Sequence, residues 1–139
     1  MRRVLFDVNV VLDVLLDRRP HAEASAAIWA AVETGAAEGL LAAHAVTTIH
    51  YLIRKDRGTA KAKGIISAIL RVFDVAAVDG AVIREAVQLS CTDFEDAVTA
   101  AAARQAHCDY IVTRDPRGFR GSPIRTLTPE AAMPIFKMR

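Results

Sequence analysis

Four aspartates sit where they could do chemistry together. Asp7 ends the apolar run Val4-Leu5-Phe6 and is followed two residues later by Asn9. Asp93 and Asp96 are three residues apart and therefore neighbours on one helix face, while Asp115 follows Ile111-Val112-Thr113-Arg114. Carboxylates that project into one crevice repel one another strongly unless protons or cations share the site. A donor set made only of oxygens suits Mg²⁺ or Mn²⁺. Such ions orient and deprotonate a water and stabilise charge on a phosphoryl group during in-line displacement, so the implied reaction is phosphodiester hydrolysis.

These side chains can meet only if the elements carrying them end at one place. Val4 to Phe6 fits a strand buried on both faces, as in the parallel sheet of an α/β domain. A short helix is expected from Val10 to Leu16, broken by Arg18-Arg19-Pro20, and a second from about His21 to Thr34, stopped by Gly35. Leu40 to Ala43 reads as the second strand. In the helix that follows, Val46, Ile49 and Ile53 form an inward stripe that His50 joins. Arg57-Gly58-Thr59 marks a stop and a new start, leading to a helix with Ile65, Ile66, Ile69 and Leu70 on its apolar face. Val72 to Val78 is a third strand, and Asp79-Gly80 caps a helix to about Ser90. The alanine-rich stretch from Cys91 to His107 predicts a helix packed closely on more than one side, with Phe94, Val98, Ala101 and Gln105 sharing a face. Asp109 to Thr113 is a fourth strand, Ile124 to Leu127 a short fifth, and Thr128-Pro129-Glu130 begins a last helix limited by Pro134.

Alternating strands and helices predict a sheet of about four to five parallel strands with helices on both faces. Strand ends and helix starts then share one rim, where open α/β sheets bind ligands. Asp7, Asp93, Asp96 and the segment Thr113 to Asp115 all belong to it.

Each residue also has a purely structural role open to it. Thr92-x-x-Glu95 has the form of a capping box, so Glu95 reads as a cap, and first-turn acids are favoured by the helix dipole. Asn9 either holds Asp7 in position or caps the next helix, and Asp13 and Asp17 fall on the solvated side of that helix. Thr113 can bond a neighbouring carboxylate or serve as an ordinary strand residue, and Asp115-Pro116 fits simple turn chemistry. His50 reads as a hydrogen-bonded, half-buried histidine or as a ligand. Arg114, Arg117 and Arg120 flank Asp115 and are the arginines best placed for phosphate contacts.

The bulk properties set wider bounds. At 139 residues and 53% hydrophobic content the chain predicts a single domain, 1–139, with one well-buried core. A formal charge of +2 does not by itself argue for nucleic acid. Cys91 and Cys108 lack metal-ligand spacing and suit packing. No apolar run approaches the roughly 20 residues of a membrane span and no secretory h-region precedes Asp7, so no membrane association and a cytoplasmic location are expected.

Taken in order, Asp7-Val8-Asn9, then Asp93-Phe94-Glu95-Asp96-Ala97 followed by small residues, then Ile111-Val112-Thr113-Arg114-Asp115 with Phe119 beyond, resemble the PIN domains and within them the VapC-type toxins of bacterial toxin-antitoxin pairs. The resemblance extends over essentially the whole chain. It implies a three-layer α/β/α sandwich and a ribonuclease dependent on Mg²⁺ or Mn²⁺. Asp7, Asp96 and Asp115 would be its metal-binding acids, Asp93 a possible additional one, and Asn9 and Thr113 supporting groups. It also implies an RNA substrate, a homodimer and a small antitoxin that blocks the acidic cleft. The sequence departs from the family at His50, where a glutamate is usual, and at Gly118, where an aspartate is common.

Two rival classes are weighed against this one. A catalytically silent module of the same fold, binding RNA or a protein, is favoured by His50. An enzyme forming an aspartyl phosphate at Asp7 is disfavoured, because Asn9 stands where a dehalogenase-like acid is needed and Asp7 ends the first strand rather than the third.

Overall fold

Successive residues of a strand point to opposite faces, so a strand buried on both sides must be apolar at every position. The central strands of the computed structural model, which describes residues 1–137, meet that condition at every position after their first. In β1 (Arg3–Phe6), Val4 and Phe6 enter one apolar cluster and Leu5 the other; in β2 (Glu38–Ala42), Leu41 opposes Leu40 and Ala42; in β4 (Tyr110–Val112), Val112 opposes Ile111. With β3 (Asp74–Ala76) and β5 (Arg125–Leu127) they make a wholly parallel five-stranded sheet of order β3-β2-β1-β4-β5.

The helices divide between the two faces. On one lie α1 (Val8–Leu15), α2 (Ala22–Glu33), α3 (Ala43–Arg57), α4 (Thr59–Ile69) and α7 (Pro129–Lys137), whose Val10, Ile28, Ile49, Ile69 and Phe136 join Val4 and Phe6. On the other lie α5 (Gly80–Gln88) and α6 (Phe94–Gln105). Every residue of α6 from Ala97 to Ala103 is buried, because small side chains let it fit between α5 and the sheet. The result is the expected α/β/α sandwich.

This topology builds the rim. Asp7 directly follows β1, α3 starts where β2 stops, and Thr113 directly follows β4. The far end of α6 is located by Arg3, at the start of β1, whose guanidinium donates to the Ala106 carbonyl at 2.9 and 3.1 Å. Twelve residues of helix span about 18 Å, so the first turn of α6 lies at the opposite edge, beside the ends of β1 and β2.

Several local expectations are corrected. Helix α6 starts at Phe94 rather than Cys91, with Asp93 as its N-cap, so the box built on Thr92 does not form; Phe94 is exposed rather than packed with Val98 and Ala101. Asp7 itself caps α1, and Asn9 neither caps nor holds it but accepts the Arg114 amide at 3.2 Å. Asp13, expected in solvent, is fully buried against Arg114 (2.9 Å) and Arg18 (3.3 Å). Both arginine nitrogens approach outside hydrogen-bond geometry, so Coulomb attraction holds them. Pro134 does not limit the last helix, which runs to Lys137: Pro134 is exposed and removes only one amide bond near the helix end.

Candidate metal centre

The floor of the rim is Asp7. It is buried because it extends β1 inward, its amide bonding the Val112 carbonyl at 2.9 Å. One of its carboxylate oxygens accepts the Val8 amide at 2.9 Å and the other the Thr113 hydroxyl at 2.8 Å. Both bonds favour the charged form, yet burial outweighs them and pushes the pKa up to about 6, with the charge of Glu95 adding to the effect.

Opposite Asp7 stands the first turn of α6. The Asp93 carboxylate accepts the Asp96 amide at 3.1 Å, which orients the helix start. Asp96 is half-buried and its pKa rises to about 7, first from burial and then from the charges of Asp7, Glu95 and Asp93. Asp7, Glu95 and Asp96 each offer an oxygen, and all three oxygens lie within 4.8 Å of one another. Two of the three acids therefore ionise at higher pH than ordinary carboxyls, because burial comes first and neighbouring negative charge adds to it.

Glu95 behaves differently. His44, in the first turn of α3, approaches its carboxylate with Nε2 at 2.7 Å and is the main reason its pKa is lowered. The Thr99 hydroxyl, one turn along α6, lies 3.1 Å from the same oxygen.

Of the residues singled out in the sequence, Asp7, Asp96, Asp93 and Thr113 therefore come together. Asp115 is linked to them through its amide, which donates to the Thr113 hydroxyl at 3.3 Å, but its exposed carboxylate turns to Arg117 at 3.1 Å. His50 is half-buried on α3 and outside the acidic group. Arg114 is engaged by Asp13, whereas Arg117 and Arg120 are exposed. A side chain at Gly118 would run into the Asp96 carboxylate, so the acid common there in relatives is excluded unless Asp96 moves. Glu95 and His44 are the residues that sequence reasoning missed. The signal for His44 was its place: the helix start after β2 lies on the same rim as the strand end at Asp7.

A divalent cation fits this arrangement on two grounds. Three carboxylates converge, two of them with pKa values pushed up, and the donor atoms are oxygens, the preference of Mg²⁺ and Mn²⁺. Among the described residues no helix is long and apolar enough to cross a membrane.

Comparison with known proteins gives the family and the fold. A family model described as PIN domain matches residues 3–117. Among solved structures, FitAcB from Neisseria gonorrhoeae is 21% identical with a TM-score of 0.72, covering 91% of this chain and 98% of that one. DNA-bound VapBC from Salmonella typhimurium is 14% identical with a TM-score of 0.72, covering 93% and 99%. A toxin-antitoxin complex from Klebsiella pneumoniae is 20% identical with a TM-score of 0.67, covering 91% and 97%. At these identities the likeness is one of fold. No curated protein matches the sequence significantly.

Proposed function

The chain belongs to the PIN domain family, and from that premise we propose that it is a Mg²⁺- or Mn²⁺-dependent endoribonuclease acting as the toxin of a toxin-antitoxin pair. The observation that carries this reading is the convergence of Asp7, Glu95 and Asp96, with burial and neighbouring charge raising the pKa of Asp7 and Asp96. When bound, the cation supplies a deprotonated water and offsets the charge that develops on the phosphoryl group. Asp7 and Asp96 are its principal ligands. Thr113 fixes the Asp7 carboxylate through its hydroxyl, and Asp93 fixes the turn that carries Asp96. The N-termini of α1 and α6 face the same edge, and their dipoles favour an anion there.

Asp115 is assigned to the mouth of the site, where RNA entering between it and Arg117 would release the carboxylate toward the other acids. Arg117 and Arg120 are the phosphate contacts; Arg114 is instead structural, tied to Asp13. An antitoxin that covers the acidic rim, a homodimer, a single-domain chain and a cytoplasmic location belong to the same reading. The toxin-antitoxin complex among structures of this fold supports the antitoxin partner.

A second reading, a silent module that binds metal and RNA or a protein without cleavage, is favoured by one observation. His50 and Gly118 add no carboxylate, leaving a smaller acidic set. The two readings separate in one assay: end-labelled structured and single-stranded RNAs incubated with Mg²⁺, Mn²⁺ or chelator, beside Asp7→Asn and Asp96→Asn. Metal-dependent cleavage lost in both variants supports the nuclease. Metal binding without cleavage, from folded and partner-free protein, supports the silent module.

A further inference from the structure

Glu95 differs from Asp7 and Asp96 in one respect: burial does not keep it at the site. It is exposed in the first turn of α6, and its flexible side chain should swing into water, away from two other anions. It does not, because two groups hold it. His44 Nε2 is 2.7 Å from Glu95 Oε2, and the Thr99 hydroxyl is 3.1 Å from that oxygen and 3.3 Å from His44 Nε2.

The ring's own environment assigns its proton. His44 Nδ1 is buried with no partner among the described residues. A proton there would be an unpaired buried donor and would leave Nε2 facing carboxylate oxygen lone pair to lone pair. Placed on Nε2, it is donated to Glu95. The contact also joins two elements far apart in sequence, the start of α3 after β2 and the start of α6, exactly where the rim must stay closed for three carboxylates to converge.

We propose that His44 is a positioning residue: its Nε2–H, with the Thr99 hydroxyl, holds the Glu95 carboxylate toward Asp7 and Asp96, so that Glu95 serves as the third acid of the cation site. This rests on the metal-site reading above. Relations of this kind between a ligand and its supporting hydrogen bond commonly carry about tenfold or more in metal affinity.

The test is Mn²⁺ binding to the full chain, free of any partner protein, followed by electron paramagnetic resonance, with melting recorded in chelator. His44→Ala is expected to weaken Mn²⁺ binding about tenfold. His44→Gln, whose amide can donate to Glu95, should restore most of it. Glu95→Gln should reproduce the loss, and adding His44→Ala to it should cost little more. Should Asp7→Asn abolish binding while His44→Ala and Glu95→Gln bind as the unaltered chain does, the proposal is overturned and the metal site stands. Should the unaltered chain bind no Mn²⁺, the site reading falls first and this proposal with it. If His44→Ala does not fold, Glu95→Gln and His44→Gln decide the matter: unchanged affinity in Glu95→Gln, or affinity in His44→Gln as low as in Glu95→Gln, overturns it.

Discussion

Replacing Asp7 by asparagine should make the metal-free protein more stable at high pH while removing its ability to bind metal. Burial raises the Asp7 pKa from 3.8 to about 6. The folded chain therefore keeps a proton that the unfolded chain has already lost between about pH 4 and pH 6, and stability falls as pH rises through that window and levels off above it. Each pKa unit corresponds to about 1.4 kcal/mol, so ionised Asp7 costs the fold about 3 kcal/mol at pH 8. Asparagine carries no charge, and its amide can accept the Val8 N–H and donate to the Thr113 hydroxyl. Imperfect geometry should return about 1 kcal/mol of the gain. The net is about 2 kcal/mol, or a rise of about 5–8 °C in melting temperature for a chain of this size. The assay is thermal melting of both proteins in chelator and in Mg²⁺ at pH 4 and pH 8. The variant should melt higher only at pH 8 in chelator, and Mg²⁺ should raise only the unaltered protein. If Asp7→Asn lowers the melting temperature equally at both pH values, the carboxylate is not strained and the case for a cation at the rim fails.

Two further substitutions probe the site and its support. Gly118→Ala places a methyl group on the Asp96 carboxylate, at a backbone position any residue can adopt, so it should lower Mn²⁺ affinity several-fold while changing stability by less than about 1 kcal/mol; calorimetric titration and melting together check this. Asp13→Leu leaves Arg18 and Arg114, both partly exposed, without their buried partner and should cost about 1–3 kcal/mol in urea unfolding, with part of the loss recovered by Arg114→Leu in the same chain. A cost below about 1 kcal/mol would mean that the Asp13 contacts do not hold the loop after β4.

The parallel sheet was legible because Val4-Leu5-Phe6, Leu40-Leu41-Ala42 and Ile111-Val112 are apolar at consecutive positions, which only a doubly covered strand requires. Asp7 and Asp96 were legible because topology alone brings a strand end and a helix start to one edge. What escaped depended on single-residue offsets and on rotamers. Moving the N-cap of α6 from Thr92 to Asp93 turned Glu95 from a cap into a neighbour of Asp7. Asp13 follows Val10 by three residues and so shares its buried face, but a carboxylate reads as solvent-facing until the arginines that compensate it are known. Asp115 occupies the expected strand-end position while its side chain turns outward, a choice made by Arg117 two residues on. His50 drew attention by alignment with a usual glutamate, whereas the histidine in contact with the acids is His44.

The most direct measurement is the anomalous diffraction of Mn²⁺ in crystals of the full chain. A single strong peak bounded by the Asp7, Glu95 and Asp96 carboxylates, absent in Asp7→Asn crystals, is the result predicted here. Saturating Mn²⁺ with no peak among those three side chains, or with peaks only at exposed acids elsewhere, would contradict the account.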